Sequence, residues 1–368
     1  MEHKLVHQQG HRKMEHHKHQ FIILKNEDPY DHQLWVDACK EFSNKIDYRV
    51  VDLTSGDWLE EILAFPCDML LVKPGGKTKA YKQLYDERLN ILVQELNYAC
   101  FPSLKEVLIY ENKRYQAYWL KANQIPHPAT RVFYSRKEAI RFIEETRFPL
   151  VAKLNIGASG NGVEILHTRK EAKEYINLLF SKGIAPRTGP KFNKGNFFNR
   201  GWDKMRNPGE MINRLKTYRN ITSDVQKYFV IFQEYIQHGY EWRVVRIGNS
   251  FFAHKKILRG EKASGSLVKG YENPPLGLLD FVKKLTDRFG FYSQAVDVFE
   301  SQQNDYLVNE MQCIFGQSDP YQMLVDNKPG RYIFDKERWI FEEGDFNRNE
   351  SYNLRLQWLI KQLTHSSS

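Results

Sequence analysis

The sequence predicts an α/β chain, α+β overall, with an open, mainly parallel sheet first and a mainly antiparallel sheet last. Three observations predict it. Residues 20–110 alternate short apolar runs of strand length with amphipathic runs of helix length, the pattern of parallel strands with helices on their faces. The last third instead carries strand-like runs at 228–236, 241–247, 250–258, 295–299 and 306–310, which lean towards antiparallel pairing. The chain has 368 residues, 41% hydrophobic and 27% charged, so it can bury a core and has the length of two to three domains.

Phe21-Ile22-Ile23-Leu24 reads as a strand, and 33–42 as a helix with Leu34, Ala38 and Phe42 on one face. A strand at 48–53, a helix at 58–65 and a strand at 68–72 follow. A longer helix is predicted over 79–99 and a further strand over 106–110. The block contains no GxGxxG, so dinucleotide binding is not indicated. Residues 112–123 read as a helix closed by Ile125-Pro126-His127-Pro128, where two prolines forbid continuation. Another helix spans 136–146. We expect a His-rich leader over 1–19, a first domain over 20–110, a small second unit over 111–230 and a third over 231–368 with a C-terminal extension.

No run approaches the roughly 18 uninterrupted apolar residues of a membrane span, and no signal peptide is expected. Cys39, Cys67, Cys100 and Cys313 lie far apart without CxxC spacing, as thiols of a reducing, cytoplasmic compartment do. The net charge of +9 is unevenly spread. Residues 181–227 hold eleven basic side chains against three acidic ones, so the rest of the chain is nearly neutral. That distribution disfavours a general nucleic-acid binder and points to one basic, loop-rich insertion: a lid over an anionic ligand or a solvated surface loop, with nucleic-acid binding through its interleaved Phe and Trp as a further alternative.

The most informative stretch is Phe148-Pro149-Leu150-Val151-Ala152-Lys153, followed by a loop with Gly157, Ser159, Gly160 and Gly162. Glycines between two strands let backbone N–H groups approach phosphate oxygens, and Lys153 would add a point charge. It is not a Walker-type loop, and the absence of H-R-D and D-F-G disfavours a protein kinase. Asp297 and Glu310 sit on successive late strands, with Gln312 two residues on and therefore on the face of Glu310. Two carboxylates and an amide carbonyl suit magnesium held together with substrate phosphates. Gln233-Glu234-Tyr235-Ile236 can offer backbone groups to an adenine edge, Glu241 can hold ribose hydroxyls, and Arg243, Lys255 and Lys256 can supply cations to a transferring phosphoryl group.

Taken in order, these pieces resemble the ATP-grasp superfamily, especially the branch of glutathione synthetase and the glutamate ligases that modify ribosomal protein. The matching residues are Asn112-Lys113, Ile125 to Thr130, the 148–163 block, Gln233 to Ile236, Glu241-Trp242-Arg243-Val244, Lys255-Lys256-Ile257, Ala295 to Phe299 and Val308 to Gln312. The resemblance implies an ATP-grasp fold: a pre-ATP-grasp α/β domain, a lid subdomain and a C-terminal, mainly antiparallel subdomain. It implies ATP as substrate, with magnesium ions, two in number, on Asp297, Glu310 and Gln312. Lys113, Lys153, Gly157, Ser159, Gly160, Gly162, Glu234, Tyr235, Ile236 and Glu241 would bind the nucleotide. Arg243, Lys256 and Lys255 would serve the chemistry.

The implied reaction is ATP-dependent carboxylate–amine ligation through an acyl phosphate, releasing ADP and phosphate. The alternatives are a small-molecule kinase and a non-catalytic ATP-binding protein. The basic insertion together with Ser264, Ser266 and Lys269 suggests an anionic carboxylate substrate, an amino acid, a peptide or a uronic-acid sugar, joined to an amine. Homo-oligomers are common in this branch. The family usually has Asn where this chain has Gln312, which displaces one metal-binding oxygen by about a C–C bond.

Overall fold

The computed structural model describes residues 18–157, 162–185, 223–259, 262–263, 268–300, 305–315, 317 and 319–366. Its first sheet comprises β1 (His19–Lys25), β2 (Ile46–Asp52), β3 (Met69–Val72) and β4 (Cys100–Phe101), in the order β2-β1-β3-β4. All three pairings are parallel. Phe21, Ile22, Ile23 and Leu24 are all buried, as a strand covered on both faces requires. Helices α1 (Gln33–Glu41), α2 (Trp58–Leu63) and α3 (Lys79–Asn90) cross between these strands. The last gives way to a π-helical turn, Ile91–Glu95, short of the predicted end at 99.

One expectation is corrected. Residues 106–110 are not a strand: α4 (Leu104–Ile109) takes up 106–109 and Tyr110 is its C-cap. Ser103 accepts from the Glu106 amide, and Glu106 Oε2 accepts from the Ser103 amide at 2.8 Å, a complete capping box. Two helix-terminal donors are thereby satisfied, and this outweighs the β-branched composition of the run. α5 (Lys113–Ala122) follows almost directly.

The second sheet joins β5 (Thr130–Phe133), β6 (Leu150–Lys153), β7 (Val163–Leu166) and β8 (Val230–Glu234) in the order β5-β8-β6-β7, antiparallel throughout. Helices α6 (Arg136–Glu145) and α7 (Arg169–Leu179) cover it, burying Ile143, Ile176 and Leu179 against Phe232 and Leu150.

The third sheet has nine strands. Its spine runs β14 (Tyr306–Gln312), β13 (Ser293–Glu300), β9 (Tyr240–Ile247), β10 (Ser250–Arg259), β16 (Lys328–Asp335), β15 (Leu324–Val325). The short β11 (Lys262–Ala263) and β12 (Lys269–Gly270) pair with β10, and β17 (Arg338–Glu343) with β16. α8 (Leu276–Phe289) packs on one face through Leu278, Leu279 and Val282.

The C-terminal extension supplies β15 to β17 and then α9 (Tyr352–Ser366), which returns to the first sheet. Tyr352 meets Trp35 edge-on at 4.7 Å, and Leu356, Leu359 and Ile360 join the core around β1. Gly248, in the β9–β10 turn, has φ +57° and sits against Trp358, leaving no room for a Cβ. No helix among the described residues is long and apolar enough to cross a membrane.

Candidate active site

Strand pairing gathers the ionisable residues. Arg243 opposes Asp297 across β9–β13, Lys256 opposes Glu241 across β9–β10, and Asp297 opposes Glu310 across β13–β14. Cross-strand partners share a face, so all five side chains meet on the face turned towards the second sheet. Asp297 is fully buried. Its two oxygens accept from Arg243 Nε at 2.8 Å and Nη2 at 2.9 Å, and Oδ2 also from Lys256 Nζ at 2.7 Å. Burial alone would raise its pKa, but the two cations override it and hold the carboxyl well below the usual range.

The chain of contacts continues across the gap between sheets. Lys256 Nζ donates to Glu241 Oε2 at 2.9 Å, Asn309 Nδ2 to Glu241 Oε1 at 3.1 Å, and Lys153 Nζ, from β6, to Asn309 Oδ1 at 2.9 Å. Burial pulls the Lys153 ammonium down to about 8, Glu310 opposing and Lys113 adding to the shift. Lys113 opens α5, whose first amides donate to Asn155 just beyond β6. Its ammonium donates to the Gly157 carbonyl at 2.9 Å and lies 3.7 Å from Glu310 and 3.8 Å from Glu111. Glu111 Oε2 in turn accepts from the Gly157 amide at 3.3 Å, and burial raises this carboxyl against the pull of Lys113. At the other end of the glycine loop, Gly162 has φ +85°, and its carbonyl accepts from the Leu154 amide at 2.7 Å. A Cβ there would meet Leu154 at 2.9 Å.

Four cations (Lys113, Lys153, Arg243, Lys256) thus face four carboxylates (Glu111, Glu241, Asp297, Glu310), a self-neutralised cluster. A polyanionic nucleotide entering it needs further positive charge. Asp297 and Glu310 oppose one another, and Gln312 Nε2 lies 3.3 Å from Glu310 Oε1. Glu310 and the Gln312 amide oxygen can serve magnesium, which takes one or two carboxylates and completes its shell from phosphates and water; Asp297 joins them by releasing Arg243 or Lys256.

Glu234 ends β8, with Tyr235 and Ile236 half-buried in the segment that leads to β9. His238 in that segment rests on Phe299 and places Nε2 3.7 Å from Glu241. Sequence reasoning passed over His238, Asn309 and Glu111. Asn309, beside Glu310 in Val308-Asn309-Glu310, was the readable one, as a polar residue adjoining an expected metal ligand.

Not every predicted residue is brought in. Lys255 is a correction: alternation along β10 sends it to the opposite face from Lys256, over the rings of Tyr240 at 4.0 Å and Trp242 at 5.1 Å, paired with Glu272. Lys269 lies opposite Lys256 on β12, with its ammonium held by Asp319 at 2.7 Å and by Gln317. Beside it, His254 is buried next to Arg243, and burial, with Arg243 and Lys269, lowers its pKa to about 3. Ser159, Gly160, Ser264 and Ser266, and residues 186–222 of the basic insertion, lie outside the described residues.

A parallel sheet, followed by two sheets that close on a shared cluster of lysines and carboxylates, defines the ATP-grasp fold. Comparison with solved structures agrees. The D-alanine–D-alanine ligase of Bacillus anthracis aligns over 95% of this chain and 100% of its own, with a TM-score of 0.53 at 14% identity. The biotin carboxylase domain of the Hydrogenobacter thermophilus 2-oxoglutarate carboxylase, in complex with MgADP and bicarbonate, aligns over 83% of this chain and 66% of its own, TM-score 0.53 at 13% identity. The carboxyaminoimidazole ribonucleotide synthase of Aspergillus clavatus, complexed with ATP, aligns over 82% and 71%, TM-score 0.51 at 11% identity. In sequence, 83 residues are 32% identical to the phosphoribosylamine–glycine ligase of Caldanaerobacter subterraneus subsp. tengcongensis. They make up 23% of this chain and only a fifth (20%) of that relative. No protein-family model matches.

Proposed function

We propose that this chain is an ATP-dependent carboxylate–amine ligase acting in the cytoplasm, with 20–110, 111–230 and 231–368 as its three units. The observation that carries the reading is the polar chain from Asp297 to Lys153, which spans two sheets and ends at the glycine loop. ATP lies in the gap, its adenine against 234–236, its ribose at Glu241 and its phosphates at Lys113, Lys153 and the loop from Gly157 to Gly162. Magnesium ions on Asp297, Glu310 and Gln312 neutralise the phosphates when bound. A substrate carboxylate oxygen attacks the γ-phosphorus and ADP leaves, giving an acyl phosphate. An amine then attacks the acyl carbon, phosphate leaves, and the surplus amine proton passes to solvent. Arg243 and Lys256 stand where charge develops on the transferring group, so this chain supplies positioning and charge neutralisation rather than a covalent nucleophile. Cys313, fully buried beyond β14 with its thiol pushed far up by burial, is unsuited to one.

The carboxylate is anionic elsewhere too, a choice supported by the basic surplus over 181–227. Phosphorus NMR with MgATP and pooled carboxylates, amines and sugars tests the reaction, with Lys153→Ala as control. Free phosphate and ADP appearing only with the pool is the expected result. A phosphomonoester resonance would instead make the protein a kinase.

A further inference from the structure

A second group of buried polar side chains has no part in nucleotide binding. Arg355, near the start of α9, is completely buried. Its Nε donates to Ser293 Oγ at 3.1 Å and its Nη1 to the Glu350 carbonyl at 3.2 Å, both neutral acceptors. Its Nη2 is buried with no hydrogen-bond partner. The buried carboxylate nearby, Glu106, has its oxygens occupied by Ser103 and by the Ser293 amide. The charges of Glu350 and Glu106 act on it, but no carboxylate oxygen is hydrogen-bonded to it. A buried guanidinium so placed is costly to a fold and calls for a reason.

Two further donors stand in the same region. The guanidinium lies against the rings of Phe315 at 4.5 Å and Tyr352 at 4.9 Å. The Tyr352 hydroxyl is likewise buried and unpartnered. Lys73, immediately after β3, lies within electrostatic reach of Tyr352, Asp31, Cys313 and Arg355. It is half-buried, so solvent reaches it. It also stands at the carboxyl end of a parallel strand, the end at which open α/β sheets receive ligands.

Ser293, which anchors Arg355, is on the same strand and face as Asp297, four residues away. At strand rise that is about 13 Å. We propose that Arg355, Tyr352 and Lys73 form a carboxylate-binding subsite. It holds the far end of a substrate whose reacting carboxylate lies at Asp297 and Glu310. The substrate class is a dicarboxylate or acidic peptide with its two carboxylates on the order of 10 Å apart. The assignment rests on the ligase reading and specifies its substrate.

The test uses the full chain, first without nucleotide and then with MgATP, and follows thermal stability against α,ω-dicarboxylates of increasing length. Matching monocarboxylates and inorganic phosphate serve as comparison probes. Stabilisation peaks at a chain of about nine or ten carbons and is absent with monocarboxylates. Arg355→Met and the isosteric Tyr352→Phe weaken the probe about 10- to 100-fold, while the exposed control Lys328→Met does not. Without probe, Arg355→Met melts at the same temperature as the wild type or higher, because an unpaired buried charge is gone. A lower melting temperature with unchanged probe binding would make Arg355 structural and overturn the subsite. So would anions that fail to distinguish wild type from either variant, or phosphate binding in place of dicarboxylates. MgATP affinity, measured separately, keeps the two readings apart: its absence in the wild type overturns the ligase, not the subsite.

Discussion

Lys153 offers the sharpest test of the nucleotide site, because its burial sets a pH at which binding must weaken. Its ammonium titrates near 8 in the folded protein instead of the ordinary 10.5, a difference worth about 3 kcal/mol. The folded pKa is depressed, so the unfolded chain binds more protons between these values, and stability contributed by this group rises with pH across that window. Nucleotide binding has the opposite sign. Phosphates favour the ammonium, so below pH 8 the lysine is already charged and affinity is full. Above pH 8 each bound nucleotide must also take up a proton, and MgATP affinity falls by up to about tenfold per pH unit until the pKa of the complex is reached. Between pH 7 and 9.5 the loss is about 30-fold. Titration calorimetry from pH 7 to 9.5, in buffers of different ionisation enthalpy, reads both the affinity and the proton uptake. Lys153→Arg keeps its charge throughout and gives a flat profile. Equal slopes for wild type and Lys153→Arg would refute the assignment of this lysine to the phosphates.

Asp297→Asn removes the anion shared by Arg243 and Lys256 and leaves the guanidinium buried without its partner, at a cost of about 3–5 kcal/mol in denaturant unfolding. Because its folded pKa is depressed, Asp297's contribution is full above the ordinary carboxylate range and is lost as pH falls below it, so the variant's deficit shrinks in acid. Lys256→Met abolishes ADP formation, whereas Lys255→Met, on the opposite face, retains it; a steady-state assay in which both fail equally would contradict the strand alternation. Ser103→Ala removes the α4 cap and lowers stability by about 1 kcal/mol, seen as a shifted urea midpoint with unchanged MgATP affinity. Gly248→Val places a branched Cβ against Trp358 at a left-handed φ and lowers the melting temperature by several degrees, about 2 kcal/mol or more.

What the sequence disclosed follows from what local patterning encodes. Phe21 to Leu24 could be read as a covered strand because four consecutive apolar residues leave little else for a parallel sheet. Lys153, Asp297 and Glu310 were legible as strand residues with out-of-place chemistry; cross-strand register brings Asp297 and Glu310 together, and Asn309 joins Lys153 to Glu241 across the gap between sheets. Residues 106–110 misled because the Glu of a capping box falls inside the apolar run, and the signal was Ser103 three positions earlier. Lys255 and Lys256 could not be separated by composition, since which neighbour faces the site depends on the register of β10 with β9. Arg355 was invisible for a different reason: its partners Ser293, Phe315 and Lys73 come from remote stretches of chain, and nothing local marks an arginine in an amphipathic helix as buried.

The return of α9 to the first sheet bears on how the protein is made. Asn349 Nδ2 donates to the Leu34 carbonyl at 2.8 Å, across 315 positions of sequence. Trp35 has its ring covered by Tyr352. A ribosome that has released the first parallel strands and their helices has released a sheet whose outer helix layer is still missing one member. Until 352–360 emerge, the surface around Trp35 remains open to water and to other nascent chains. Maturation of the first unit is therefore tied to completion of the last, and non-local closure of this kind is slow. Cells making this protein would meet its stickiest form late in synthesis, when chaperone holding does most good.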